Sequence, residues 1–269
     1  SQADLMRCPF QVGAFPGPVK YGYMAVGRVV DGDPALVGRD VFSLHPHQDR
    51  FVVPASMAVP LPEDVPASRA ILAANMETAL NILWDSDIRA GDRVAVIGLG
   101  VVGLLAAWLA RTVPETEVLA LDIDPTKRAM ADALGLAFAT SPPPDKTFDR
   151  IIHASGQPSG LVMALLIAAF EARITEASWF GTRPVTLPLG EDFHSKRLTL
   201  ASSQVGAVSP SQRAGWTHRR RLEKALDLLR DPVLDVLIDG ESAFVDLPAT
   251  LSALADGSLR AHCHRVRYS

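Results

Sequence analysis

From Arg93 to Ala110 the chain reads Arg-Val-Ala-Val-Ile-Gly-Leu-Gly-Val-Val-Gly-Leu-Leu-Ala-Ala-Trp-Leu-Ala. No other stretch constrains the fold as much. Its first half is β-branched and apolar, its second half is built of helix-forming Leu and Ala, and Gly98, Gly100 and Gly103 lie at and just beyond the join in the spacing G-x-G-x-x-G. The uncharged part approaches the roughly 20 residues that span a bilayer, but the halves differ in period and are broken by glycines. A buried strand, a tight turn and a buried helix use every residue of the run. That order suits a dinucleotide site. Gly98 makes the turn, Gly100 lets backbone approach the phosphates, and Gly103 lets the helix pack on the strand. The helix then opens at Val101 and Val102 with its free N–H groups facing the pyrophosphate.

About twenty residues on, where such sites place an acidic ribose ligand, Glu117-Val-Leu-Ala-Leu-Asp122 reads as a second strand ending in a carboxylate, followed by Ile123. Asp122 can accept from both hydroxyls of an adenosine ribose and would repel a 2′-phosphate, so NAD is the expected cofactor. Lys127 and Arg128 leave NADP possible. Asp124 is the alternative acceptor, and Asp122 as a cap for the segment at Pro125 is the structural alternative. Phe148 to Ala154 reads as a strand ending at Ser155-Gly156, on the carboxyl edge where ligands bind in such sheets.

The chain has 269 residues, 48% of them hydrophobic, enough for two domains. A formal net charge of -4 gives no general attraction to nucleic acid or an anionic membrane, so neither is an expected partner. Two cysteines, Cys8 and Cys263, make no disulfide framework and fit a reducing, cytoplasmic setting. No signal-peptide pattern opens the chain. It begins at Ser1, which implies either processing or a fragment.

Strand and helix alternate after residue 90, as a doubly wound parallel sheet requires. Before that, Met24–Val30, Arg39–Leu44 and Phe51–Pro54 read as strands of a small antiparallel barrel or sheet. Ala67–Asp85 is predicted helical. Beyond the glycine turn the pattern predicts a helix over Pro125–Leu134 closed by Gly135, a helix over Leu161–Phe170, and strands over Arg173–Gly181 and Arg197–Ser203. Helices over Thr217–Arg230 and Pro248–Ala255 and a closing strand follow.

These segments, in this order, resemble the medium-chain dehydrogenase/reductase superfamily, the zinc alcohol dehydrogenase relatives. Tyr21-Gly-Tyr-Met-Ala-Val-Gly-Arg-Val-Val30 is similar to the family's G-H-E-x-x-G-x-V-V, Val37–Phe42 to its G-D-x-V element, Glu77–Asn81 to its pre-nucleotide helix, and Ala90–Gly103 to its nucleotide turn. The resemblance implies a Rossmann domain, 81–208, beside an incomplete GroES-like β-rich catalytic domain, 1–80, rejoined by 209–269. It also implies that the first stretch of the catalytic domain precedes Ser1. Further implications are an NAD(H)-dependent oxidoreductase, a small-molecule substrate in the cleft between domains, and a homodimer or a homotetramer of dimers formed by edge pairing of the nucleotide sheets.

The departures are as informative. Tyr23 stands at the family's zinc-ligating histidine and Met24 at its glutamate, and the four-cysteine structural zinc lobe is absent. Phenol and thioether are poor substitutes for imidazole at zinc, so no metal is expected. Glu77 alone still fits a zinc-ligand position, resembling that of polyol dehydrogenase relatives. It reads equally as a substrate-facing carboxylate or as a solvated or helix-pairing one. A proton donor in place of the metal is sought among Tyr23, His45, His47 and Glu77. His45 and His47 flank Pro46 with both rings expected on one side of an extended segment, though a surface loop is the favoured reading. His262-Cys-His264 reads as structural. Arg219-Arg-Arg221 with Lys224 reads as a solvated face laced by ion pairs. Trp179 and Phe180 shape a hydride pocket or belong to the core. Two rival functions stand beside the dehydrogenase: a zinc-free enone or quinone reductase, and a dinucleotide-binding protein that has lost catalysis.

Overall fold

The computed structural model describes residues 9–14 and 17–268, so Cys8 lies outside the described residues. The chain opens with strands β1 (Ala25–Arg28) and β2 (Asp40–Ser43), then β3 (Val59–Pro60) and helices α1 (Ala67–Ala70) and α2 (Ala73–Asp85). The nucleotide-type pattern follows as β4 (Arg93–Ile97), α3 (Val101–Ala110), β5 (Glu117–Leu121), α4 (Arg128–Ala133), β6 (Ala137–Ala139), β7 (Phe148–His153), α5 (Pro158–Leu166) and β8 (Ala168–Glu176). It closes with α6 (Asp192–Ser195), β9 (Thr199–Ser202), α7 (His218–Leu228), β10 (Ile238–Ala243), α8 (Leu247–Asp256) and β11 (Cys263–Arg267). None of the described helices is long and apolar enough to cross a membrane.

Two compact units divide the chain, Asn75–Arg221 and the remainder. The first is built on a six-stranded parallel sheet in the order β6-β5-β4-β7-β8-β9. Val94, Ala95 and Val96 of β4 have no solvent exposure. Helices on both faces of a parallel sheet bury both rows of side chains, which is why β4 shows no alternation in sequence. Ile97, Leu121, Phe148, Ile151, Leu161 and Ile174 join one buried cluster. The strand order reverses between β4 and β7, so the carboxyl ends of these two strands frame the crevice where such sheets bind ligands.

The second unit holds the antiparallel sheet β1-β2-β3 and the parallel pair β10-β11. Here the sequence expectation for Phe51–Pro54 fails. The Phe51 ring stacks on His45 at 3.8 Å, Val52 is 93% exposed, and Pro54 leads into a short 3-10 turn, so β2 pairs with Val59–Pro60 instead. The unforeseen β10 supplies the partner of the closing strand.

The boundary between α5 and β8 also differs. The helix stops at Leu166 and the strand begins at Ala168, so Ile167–Phe170 do not continue the helix. An uninterrupted apolar run has no period to separate the two states. Glu171 takes φ +57° and the register with β7 shifts between Phe148 and Arg150. β8 ends at Glu176, leaving Trp179 and Phe180 in the following loop.

Candidate functional site

The glycine turn follows from local geometry. Gly98 sits at φ +95°, and a Cβ there would meet the Ser155 backbone at 2.4–2.5 Å. Gly103 lies in the first turn of α3, where a Cβ would lie 1.9 Å from the Gly98 carbonyl oxygen. Only glycine lets strand and helix close this tightly. Gly100 is different: it caps α3 with no side-chain hydrogen bond, and a Cβ would meet nothing within 4 Å. The space over Gly100, just before α3, is open, as backbone approach by a phosphate requires.

A pocket of about 350 Å³ opens here, lined by Gly98, Leu99, Gly100, Asp122, Ile123 and Ser155 together with Lys127, Thr140 and the start of α5. Five of the predicted cofactor residues thus share one cavity. Val101 and Val102 begin α3, and Gly103 lies buried beneath the turn. The Gly156 N–H is spent on Ser178 Oγ at 2.9 Å. Asp122 accepts the Leu99 N–H at 2.7 Å on one oxygen and the Asp124 N–H at 3.0 Å on the other. Each oxygen keeps a further acceptor site for a hydroxyl. The cap of the segment at Pro125 is Asp124, whose carboxylate accepts the Thr126 N–H at 2.9 Å. Asp122 is therefore not the cap, and it is the acid at the pocket.

Glu77 meets Arg221. The guanidinium donates to Glu77 Oε1 at 3.0 Å, to Asn81 Oδ1 at 2.6 Å and to the carbonyls of Val205 and Ala207. The two side chains are only 9% and 2% exposed. Burial pushes the Glu77 carboxyl above its ordinary range, and Arg221 opposes the shift. The solvated-face reading of Arg219–Arg221 fails at Arg221, which is buried, whereas Arg220 is exposed with its guanidinium over the Trp216 ring at 4.1 Å. Further along α7, Lys224 does pair with Asp227 at 3.1 Å.

His45 and His47 meet different partners. His45 is buried against Phe51, with Nδ1 2.8 Å from the Pro46 carbonyl; His47 shares a 2.8 Å hydrogen bond with the Tyr268 hydroxyl. Neither is the open surface-loop residue that the sequence favoured, and burial lowers the pKa of both. His262 bonds Asp239 at 2.7 Å and His264 bonds Ser242 Oγ at 3.0 Å, both structural contacts.

No family model matches the chain. An uncharacterized zinc-type alcohol dehydrogenase-like protein of Haemophilus influenzae is 25% identical over 218 residues, covering 76% of this chain and 59% of that relative. The chain thus spans somewhat more than half the length of that relative. The crystal structure of L-idonate 5-dehydrogenase from Escherichia coli superimposes with a TM-score of 0.72 at 18% identity, over 90% of this chain and 79% of that one. In sequence the chain is similar to zinc-type alcohol dehydrogenase-like proteins, and it shares the fold of the medium-chain dehydrogenases. Another structure of this fold, a short chain alcohol dehydrogenase of Escherichia coli complexed with NADH, matches with a TM-score of 0.68 at 19% identity, over 87% and 78% of the two chains.

Against the family pattern, the tyrosine at the histidine position, Tyr23, is 43% exposed. Sequence reasoning missed two residues behind the pocket wall. His153 and Glu176 end adjacent strands and are Cα partners in the β7–β8 register. The available signal was an ionisable residue at each strand's carboxyl end. Their adjacency depends on a register that the chain does not announce.

Proposed function

We propose that this protein is an NAD(H)-dependent oxidoreductase that moves a hydride between nicotinamide and an alcohol or carbonyl carbon of a small-molecule substrate, without catalytic zinc. The observation that carries the reading is Asp122, which faces the pocket across from the Gly98–Gly100 turn with both oxygens oriented by backbone N–H groups. Asp122 would hold the adenosine ribose, while Gly100 and the start of α3 would hold the pyrophosphate. When bound, the nicotinamide supplies the hydride chemistry, and the protein supplies orientation and proton handling. A carboxylate beside the ribose would disfavour a 2′-phosphate by like-charge repulsion, which supports NAD over NADP.

Two observations support the zinc-free reading. Tyr23 and Met24 offer poor donors. Glu77, the remaining candidate ligand, already faces a buried guanidinium that a dication would have to displace or sit beside. The residues present do not fit the family's metal. A homodimer formed through β9 is also proposed, supported by the outer edge of that strand, which carries no partner strand among the described residues.

Titration of metal-analysed protein with NADH and NADPH by nicotinamide fluorescence tests the proposal. The expected result is binding that prefers NADH, with the preference relaxed in Asp122→Ser. Failure to bind either nucleotide sinks the oxidoreductase reading, and stoichiometric zinc sinks the zinc-free one. Turnover of alcohols and aldehydes, against enones and quinones, separates the dehydrogenase from its two rivals.

A further inference from the structure

Behind the pocket wall stands a hydrogen-bonded row that cradling a dinucleotide does not require. His153 is fully buried. Its Nδ1 lies 2.7 Å from Glu176 Oε2 and its Nε2 lies 2.6 Å from Ser155 Oγ, the hydroxyl of a pocket-lining residue. Every neighbour holds this row in place. The second oxygen of Glu176 accepts the Ser178 N–H at 2.6 Å, and the Gln157 N–H donates to Ser155 Oγ at 3.2 Å. A Cβ on Gly160 would lie 2.6 Å from Ser155 Oγ and 2.7 Å from His153 Nε2, so α5 closes over the pair only because residue 160 is glycine.

The hydrogen bonds assign the protons. An ionised carboxylate only accepts, so His153 Nδ1 carries the proton and donates it to Glu176. Nε2 is then a bare acceptor that takes the Ser155 O–H. Ser155 Oγ keeps one lone pair beyond the Gln157 contact for a ligand donor.

We propose that Ser155, backed by His153 and Glu176, is the proton acceptor for a ligand hydroxyl on the β7 side of this pocket. This rests on the dinucleotide reading: with Asp122 of the β5 side holding the adenosine ribose, the β7 side receives the nicotinamide half. In alcohol oxidation the hydroxyl proton moves to Ser155 Oγ as the proton of Ser155 moves to His153 Nε2. The imidazolium so formed is held by the Glu176 carboxylate. An oxidised nicotinamide bound there would take the hydride from the same carbon as the C–O bond becomes a carbonyl. Carbonyl reduction runs each transfer backwards. Ser155 is the group in contact with the ligand, while His153 and Glu176 act through it as positioning residues.

The test uses the full chain and two probes, NADH and AMP, which carries the adenosine ribose alone. By calorimetry, Ser155→Ala is expected to bind AMP as wild type does and NADH about tenfold more weakly, the loss of one hydrogen bond. In proton NMR spectra the His153 Nδ1–H is expected as a low-field resonance that is absent from Glu176→Gln and moves on adding NADH but not AMP. Equal NADH affinity in wild type and Ser155→Ala, or a resonance indifferent to NADH, overturns the placement of Ser155 beside the nicotinamide half, and alcohol oxidation by Ser155→Ala with the rate and pH profile of the wild type overturns the relay. Wild-type protein that binds no NADH overturns the dinucleotide reading itself, and the relay with it. His153→Gln removes a fully buried ring, so the partly exposed Ser155→Ala carries the argument if that variant does not fold.

Discussion

Replacing Arg221 with methionine tests the buried Glu77–Arg221 pair in a way that separates charge from packing. Arg221 donates to Glu77, to Asn81 and to the carbonyls of Val205 and Ala207. Methionine keeps the stem and removes all of these donors. Breaking a buried pair costs about 3–5 kcal/mol at neutral pH. Of this, the two carbonyls account for about 2 kcal/mol at any pH, leaving about 1–3 kcal/mol for the stranded carboxylate. That remainder depends on pH with a definite sign. Burial raises the folded-state pKa of Glu77 above its ordinary 4.5. The associated stability is present below 4.5 and is lost as pH rises through the folded value. Without Arg221 the folded value rises further, so the variant loses more on the way to neutrality. Urea denaturation at pH 7 and pH 4.5, followed by tryptophan fluorescence, should show the penalty of Arg221→Met shrinking by about 1–3 kcal/mol at the acid pH. Glu77→Leu combined with Arg221→Met should recover part of the neutral-pH loss. A penalty that agrees within about 0.5 kcal/mol at the two pH values, the tolerance of such comparisons, would refute the assignment of Glu77 as the stranded charge.

Two glycines of one turn should behave oppositely. Gly98→Ala places a Cβ at φ +95° against the Ser155 backbone, so both thermal stability and NADH binding should fall, the strain alone costing about 1–2 kcal/mol. Gly100→Ala meets only open space; its melting temperature should stay at the wild-type value while NADH binding weakens, and a large loss of stability would contradict the reading of that space as ligand-facing. Burial pushes the Cys263 thiol up to about 11. In a Cys8→Ser background its reaction with a disulfide reagent at pH 8 should be about a hundredfold slower than that of a free thiol; rapid labelling would show the site to be open.

The unit β4–turn–α3 and the acid Asp122 were legible in the chain because each is decided within a few residues. Positive φ needs glycine, helix entry needs free N–H groups, and the next strand must return about twenty residues later to the same sheet edge. Arg221 was legible only in part. It lies on the i, i+4, i+8 row with Ala225 and Leu229, both fully buried, yet its chemistry argued for solvent until Glu77 and Asn81 on another helix were seen to accept its protons. Of the row Ser155–His153–Glu176 only Ser155 was legible, at the end of its strand. The row depends on the lateral register of β7 and β8 and on a bulge at Glu171 that shifts it. Local periodicity tells a strand which residues share a face, but the neighbour each residue meets across the sheet is chosen by the packing of the whole layer. The sequence by itself determined the kind of pocket this protein carries; the tertiary structure alone decided which buried charges stand behind it.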